Sequence, residues 1–359
     1  MEIHQIIVSA SPGDAITTQA LEFRSLLRRV CPSEVFARFL DPALESEVLP
    51  LTRYPDRRSS RGGNNVLLYH ASIGQADIRS FLLERSERVV LIYHNISPPE
   101  YFIPYDPRFA ALLAEGRIDL SMLRPRVTLA LAVSAFNAAE LRSLGYTDVR
   151  VSPPVIDCNR MTAMEPHQPT AQHLADQVEG PVLLFVGQVL PHKRPDFLLQ
   201  AFHILATHLV PEAHLAMIGS ARLPRYEQTL QTFLREANLP NAWLCGSRTQ
   251  EELVAFFRRA DAFVTASEHE GFCVPLVEAM AFGIPIVARR FAAIPETLDD
   301  CGIALPKDAG PSAMAEAMAM MCEDRQVGGE LSARGRTRMA AFDATAARKT
   351  FLDHLASVV

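Results

Sequence analysis

The sequence predicts an α/β protein made of two Rossmann-like domains that face a central cleft. Three observations predict it. Apolar runs of strand length alternate with helix-period stretches along most of the chain. At 359 residues the chain is long for a single core. The alternation also breaks once, near the middle, and then restarts. Strands that are almost continuously apolar are covered on both faces, which implies parallel strands joined by helical crossovers.

The elements follow in order. QIIVSAS (5–11) is the first buried strand, and no basic stretch precedes it, so the N-terminus is not a secretory signal. Asp14 is placed to cap a helix that starts near Ile16, and TQALEFRSLLRRV (18–30) sets Leu21, Leu26, Leu27 and Val30 at helical spacing. RYPDRRSSRGGNN (53–65) is a solvated loop, although Arg57, Arg58 and Arg61 could meet acidic lipid headgroups. NVLLYHAS (65–72) and RVVLIYHNIS (88–97) are strands, each containing Tyr-His. Residues 161–180 lose both periodicities and read as a linker between domains at 1–160 and 181–340. Strands follow at 181–187, 213–220, 242–247, 262–267 and 284–288, with helices at 195–209, 226–239, 249–260 and 275–283. Thr249 and Glu252 form a capping box at one of these helices. The last segment, 341–359, carries a stripe of Ala344, Ala347, Phe351, Leu355 and Val358, a helix available to pack back on the first domain.

Composition narrows the function. The chain is 48% hydrophobic and 21% charged, ordinary for a soluble globular protein. A net charge of −6 argues against a general nucleic-acid binder. The basic residues are 32 Arg and only three Lys, at positions 193, 307 and 349. Six cysteines form no C-x-x-C pair, so zinc and a disulfide framework both fit poorly and a reducing, cytoplasmic compartment fits better. Apolar runs such as VTLALAV (127–133) are far short of a membrane span, which leaves only peripheral membrane contact, at the inner face.

The chemistry concentrates in two stretches of the second domain. In EGFCVPLVE (270–278) a strand ends, Gly271 permits a sharp turn, and Pro275 suits the start of the next helix. Unpaired N–H groups at such a helix start receive phosphate. Glu278 is expected in the first turn and Glu270 at the strand's carboxyl end, where open α/β sheets bind ligands. Carboxylates accept hydrogen bonds from vicinal sugar hydroxyls. The second stretch, VGQVLPHKRPD (186–196), places Lys193 and Arg194 after a strand-end glycine, which fits a diphosphate site. A dipole-complementing Glu278 and a solvated basic loop are the plain readings of the same residues.

In order, FVGQVLPHKRPDFLLQAF, AMIGS, LCGSRTQEELVAFFRRADAFVTASEHEGFCVPLVEAMAFGIPIVA, IPETL and CGIALP resemble the donor half of retaining glycosyltransferases of family 4, which have the GT-B fold. The resemblance covers 181–306. It extends more weakly to SPGDAIT (11–17), YHNISP (93–98) and AVSAFNAAEL (132–141). It implies that Glu278 binds the nucleotide ribose, while Glu270 and the backbone of Gly271, Phe272, Cys273 and Val274 hold the donor hexose and its phosphate. Lys193 would stabilise the diphosphate, beside Gly187 and Gln188. His94 would face the hexose near the reacting carbon, and the Gly13 loop would close over the diphosphate. The base would lie near Gly219 and the 246–248 turn, with Ser247 and Arg248 as edge contacts. One position departs from the family pattern: Gln188 stands where an arginine is common, and Arg194 is the candidate substitute. His70 reads as a structural histidine.

The implied reaction moves a hexose from a UDP- or GDP-sugar to the hydroxyl of a glycan, lipid-linked glycan or small-molecule acceptor, in bacterial polysaccharide or lipopolysaccharide assembly. No metal and no bound cofactor are expected. A nucleotide-sugar epimerase or hydrolase of the same fold, and a non-catalytic partner subunit, are the alternatives. Gln188 slightly favours the partner subunit, and retention of Lys193, Glu270, Glu278 and His94 opposes it.

Overall fold

The computed structural model describes residues 1–55 and 65–358. The segment holding Arg57, Arg58 and Arg61 therefore lies outside the described residues. The chain divides into two compact units: Met1–Ile103, Pro107–Val155 and the residues from Ala344 onward form the first, and Pro104–Asp106 with Ile156–Asp343 form the second.

The first unit runs β1 (Ile3–Ala10), α1 (Ala15–Leu27), β2 (Val35–Leu40), β3 (Leu49–Pro50), β4 (Val66–Ala71), α2 (Ala76–Leu83), β5 (Arg88–Tyr93), α3 (Pro107–Leu123), β6 (Val127–Ala132), α4 (Ala135–Ser143) and β7 (Val149–Val151). Its strands form one sheet in the order β3-β2-β1-β4-β5-β6-β7, and every pair is parallel. The inner strands are apolar on both faces because helices cover both: Ile6, Ile7, Leu67, Leu68, Val90 and Leu91 are all fully buried. Asp14 caps α1 by accepting from the Thr17 amide, the role its position suggested.

The second unit runs α5 (Cys158–Ala163), α6 (Gln168–Gln177), β8 (Val182–Val186), α7 (Pro195–Ile204), β9 (His214–Ile218), α8 (Pro224–Glu236), β10 (Ala242–Gly246), α9 (Gln250–Arg259), β11 (Ala262–Thr265), α10 (Val274–Phe282), β12 (Ile286–Arg289), α11 (Ile294–Leu298), β13 (Gly302–Leu305), α12 (Pro311–Glu323) and α13 (Arg325–Arg338). Its sheet is parallel, in the order β10-β9-β8-β11-β12-β13. The capping box on α9 forms, with Thr249 and Glu252 exchanging hydrogen bonds.

One feature differs from the sequence expectation, the linker, and one agrees with it, the last helix. Residues 161–180 are not a plain linker: α6 lies within them, and both α5 and α6 belong to the second unit. Leu174 and Val178 are buried in that unit's core, with Ala171 packed against it. One apolar residue per turn is enough to seat α6, but too few to stand out among Gln, His and Pro. The last helix, α14 (Ala344–Ala356), belongs to the first unit. The Phe351 ring stacks on Phe23 at 3.7 Å, Leu355 joins the same cluster, and Arg348 pairs with Glu22 at 2.7 Å.

Among the described residues no helix is long and apolar enough to cross a membrane. All six cysteines are free thiols.

Candidate functional site

Each parallel sheet reverses its strand order at one point, and ligand sites in such sheets form beyond the carboxyl ends of the strands there. In the second sheet the reversal lies between β8 and β11. The loop after β8 holds Gly187–Arg194, and the loop after β11 holds Ser267–Cys273. Both motif stretches therefore flank one crevice. The Glu268 amide donates to the His192 carbonyl at 2.8 Å and joins the two loops.

Three glycines floor this edge. The Gly187 amide donates to the Ile218 carbonyl at 2.9 Å, and the Gly219 amide to the Gly246 carbonyl at 3.0 Å. Gly219 has to be glycine: a Cβ there would lie 1.9 Å from the Gly187 carbonyl oxygen. Gly219→Ala should separate the ends of β8 and β9. The expected result is a loss of about 1–3 kcal/mol in urea unfolding, the usual range for overpacking a packed site. A variant of unchanged stability would mean that the strand ends yield freely.

Lys193 and Glu270, 77 positions apart, meet through a 2.5 Å bond from Nζ to Oε1. Glu270 is 7% exposed. Burial pulls the Lys193 ammonium down, but the Glu270 carboxylate more than offsets it, so its pKa rises and the charge is kept. Arg194 sits in the left-handed region at φ 53°. Its guanidinium binds Asp196 and Glu268, and Glu268 is shared with Arg289 at 3.0 Å. Arg194 is thus paired with two carboxylates, Asp196 and Glu268. The acidic partners Asp196 and Glu268 carried no sequence signal that singled them out.

α10 begins where the chain turns at Cys273, whose φ is 70°. The Thr297 hydroxyl donates to the Phe272 carbonyl at 2.6 Å and fixes the peptide ahead of the helix. Val274 and Pro275 open the helix, so Glu278 is its fifth residue rather than a member of the first turn. At that depth it does little for the helix dipole. Burial pushes its carboxyl up to about 7, and it has no hydrogen-bond partner among the described residues. Burial also pushes the Cys273 thiol up, so Cys273 is present as a neutral thiol. Gly271 is half-buried, whereas Gly246, Ser247 and Arg248 are exposed. Arg248 pairs with Glu252 at 3.4 Å.

The remaining candidates lie in the first unit. Its sheet reverses between β1 and β4. Gly13 follows β1 with φ 74°, and His94 follows β5, held by its amide to the Ala71 carbonyl at 3.0 Å. His70, expected to be structural, is fully buried and bonds His94 ring to ring at 2.8 Å. Burial lowers His94 to about 4. Among the described residues no group of three or more His, Cys, Asp or Glu side chains is placed to hold a metal ion.

Comparisons with known proteins bear on the family and the fold. Residues 170–338 match the model of the glycosyl transferases group 1. O-antigen chain mannosyltransferase B of Escherichia coli is 28% identical over 238 residues, 64% of this chain and 60% of that protein. A GDP-mannose-dependent alpha-mannosyltransferase of Mycobacterium tuberculosis is 27% identical over 148 residues, 41% of this chain and 35% of that one. The chain thus spans less than two thirds of the length of these curated relatives. Among solved structures, Anabaena HepE in complex with UDP and glucose superimposes with a TM-score of 0.79 at 18% identity, covering 99% of this chain and 100% of that one. The fold is therefore GT-B, two parallel-sheet α/β domains.

Proposed function

We propose that the chain, whose residues 170–338 match the model of the glycosyl transferases group 1, transfers a hexose from a UDP- or GDP-sugar to an acceptor hydroxyl, with retention of configuration and without a metal ion. The observation that carries this reading is the Lys193–Glu270 pair beside the start of α10. Breaking the anomeric C–O bond builds positive charge on the sugar and negative charge on the departing diphosphate. A preorganised ammonium and the N–H groups of a helix start stabilise that anion. An ammonium carries three N–H donors, so Lys193 can keep Glu270 and still reach a phosphate oxygen. Glu270 has a second oxygen for hexose hydroxyls, and Glu278 accepts from the ribose. His94 acts at the hexose. Gln188 contributes at most a neutral hydrogen bond to the diphosphate.

Both donor bases stay in the proposal because one relative is described as GDP-mannose-dependent and one structural neighbour holds UDP. The acceptor is a glycan, a lipid-linked glycan or a small molecule of bacterial polysaccharide or lipopolysaccharide assembly, a class that includes the E. coli relative's O-antigen chain. We place the enzyme in the cytoplasm, with peripheral contact at the inner face of the membrane.

Thermal unfolding with UDP, GDP, ADP and CDP tests the donor site. A ligand at a hundredfold excess over its Kd stabilises the native state by about 2.7 kcal/mol. One nucleotide is expected to raise the wild-type Tm and to leave Glu278→Ala unmoved. No shift with any nucleotide at millimolar concentration would instead favour the non-catalytic partner subunit.

A further inference from the structure

The first unit holds a buried hydrogen-bond chain whose proton positions are forced. It starts at the Ala20 carbonyl on α1, an acceptor only. The Gln5 side-chain amide on β1 donates to that carbonyl through Nε2 at 2.9 Å. The same amide therefore turns its oxygen, Oε1, toward the His70 ring on β4, with Nε2 of His70 at 2.9 Å. An amide oxygen cannot donate, so His70 carries its proton on Nε2. His70 is fully buried, and burial holds it well below its ordinary pKa, so the ring is neutral. Its Nδ1 is then a lone pair. That lone pair meets Nε2 of His94 at 2.8 Å, and the bond forms only if His94 supplies the hydrogen.

We infer that Gln5 and His70 are positioning residues that lock His94 as the neutral Nε2–H tautomer, so that its Nδ1 presents a lone pair to a hydroxyl of the donor hexose. The rings lie nearly parallel, at 12°, with centroids 5.1 Å apart, so orientation is held together with tautomer. A free neutral imidazole exchanges between two tautomers, and the wrong one would offer an N–H where a hydroxyl needs an acceptor. Both ring nitrogens of His70 are occupied within the chain. Nδ1 of His94 has no hydrogen-bond partner among the described residues. This inference rests on the proposed role of His94 at the hexose.

The test separates the two. Histidine-selective ¹⁵N labelling reads the tautomer without any ligand, with the His94 signals assigned by their loss in His94→Ala. Wild type should show His94 as the neutral Nε2–H form. His70→Phe removes the acceptor and should give a tautomer mixture, and His70→Asn, whose Oδ1 occupies the place of Nδ1, should restore the single form. Gln5→Met, which frees His70, is the second variant if His70→Phe does not fold. Turnover of UDP-glucose and GDP-mannose is then compared. A fall of tenfold or more in kcat for His70→Phe, with donor KM within twofold and recovery in His70→Asn, supports the inference. A His94 signal in the Nδ1–H form, or one unchanged in both His70→Phe and Gln5→Met, would overturn it. If the tautomer responds as expected but His94→Ala turns over donor normally, the chain stands and the role of His94 at the hexose fails.

Discussion

Lys193→Met is expected to lower kcat by about 100- to 1,000-fold, the usual effect of removing one preorganised group from a developing anion. The same change should destabilise the unliganded protein by about 3–5 kcal/mol, because it leaves a buried carboxylate with no counter-charge. The two effects have different sources, and a double mutant separates them. Glu270, 7% exposed, is the group left behind. Lys193→Met with Glu270→Gln removes both charges and should recover most of the lost stability, with no recovery of transfer. Urea unfolding and steady-state turnover measure the two. If the single variant unfolds like wild type, the 2.5 Å pair is not a structural element. If the single variant keeps full turnover, Lys193 is not the group that meets the diphosphate.

Glu278→Gln should stabilise the unliganded protein at neutral pH while abolishing nucleotide binding. The carboxyl titrates near 4.5 in the unfolded chain and at about 7 in the fold, because burial disfavours the anion. Below pH 4.5 it is neutral in both states and costs nothing. As pH rises toward 7, the unfolded chain gains by ionising and the folded one does not, so stability falls. Above the folded pKa the deficit is complete, at about 3 kcal/mol. Glutamine carries no such deficit, so the variant's advantage should grow between pH 5 and 8. A nucleotide whose ribose hydroxyls donate to the carboxylate should bind more tightly as pH rises through 7 and should release a proton on binding. Calorimetry with UDP and GDP in buffers of different ionisation enthalpy reads that proton. A stability difference that does not vary with pH would place the titrating group elsewhere.

The second unit was the more legible half. Its strand and helix runs carry period and punctuation together, and EGFCVPLVE announces itself because a turn glycine, a helix-opening proline and two carboxylates share nine positions. The helix start was placed within a residue or two, and the error mattered only for Glu278, which falls one turn into α10. The first unit gave less. Its strands were legible, but Gln5 looks like any residue of an apolar strand, and His70 like a buried structural histidine. α6 escaped because a short helix seated by Leu174 alone among its buried residues has no stripe long enough to read.

The sequence by itself determined the alternation of elements, the parallel sheets, the two motif loops and the candidate residues on them. These are local properties, set by hydrophobic period and by turn and cap chemistry within a few residues. Only the tertiary structure decided which of those residues meet. It set Lys193 against Glu270, paired Arg194 with Asp196 and Glu268, and joined Gln5, His70 and His94 into one chain. Parallel strand order is the physical reason. Crossovers bring residues far apart in sequence to neighbouring strand ends, and a pairing made that way leaves no periodic trace in the chain.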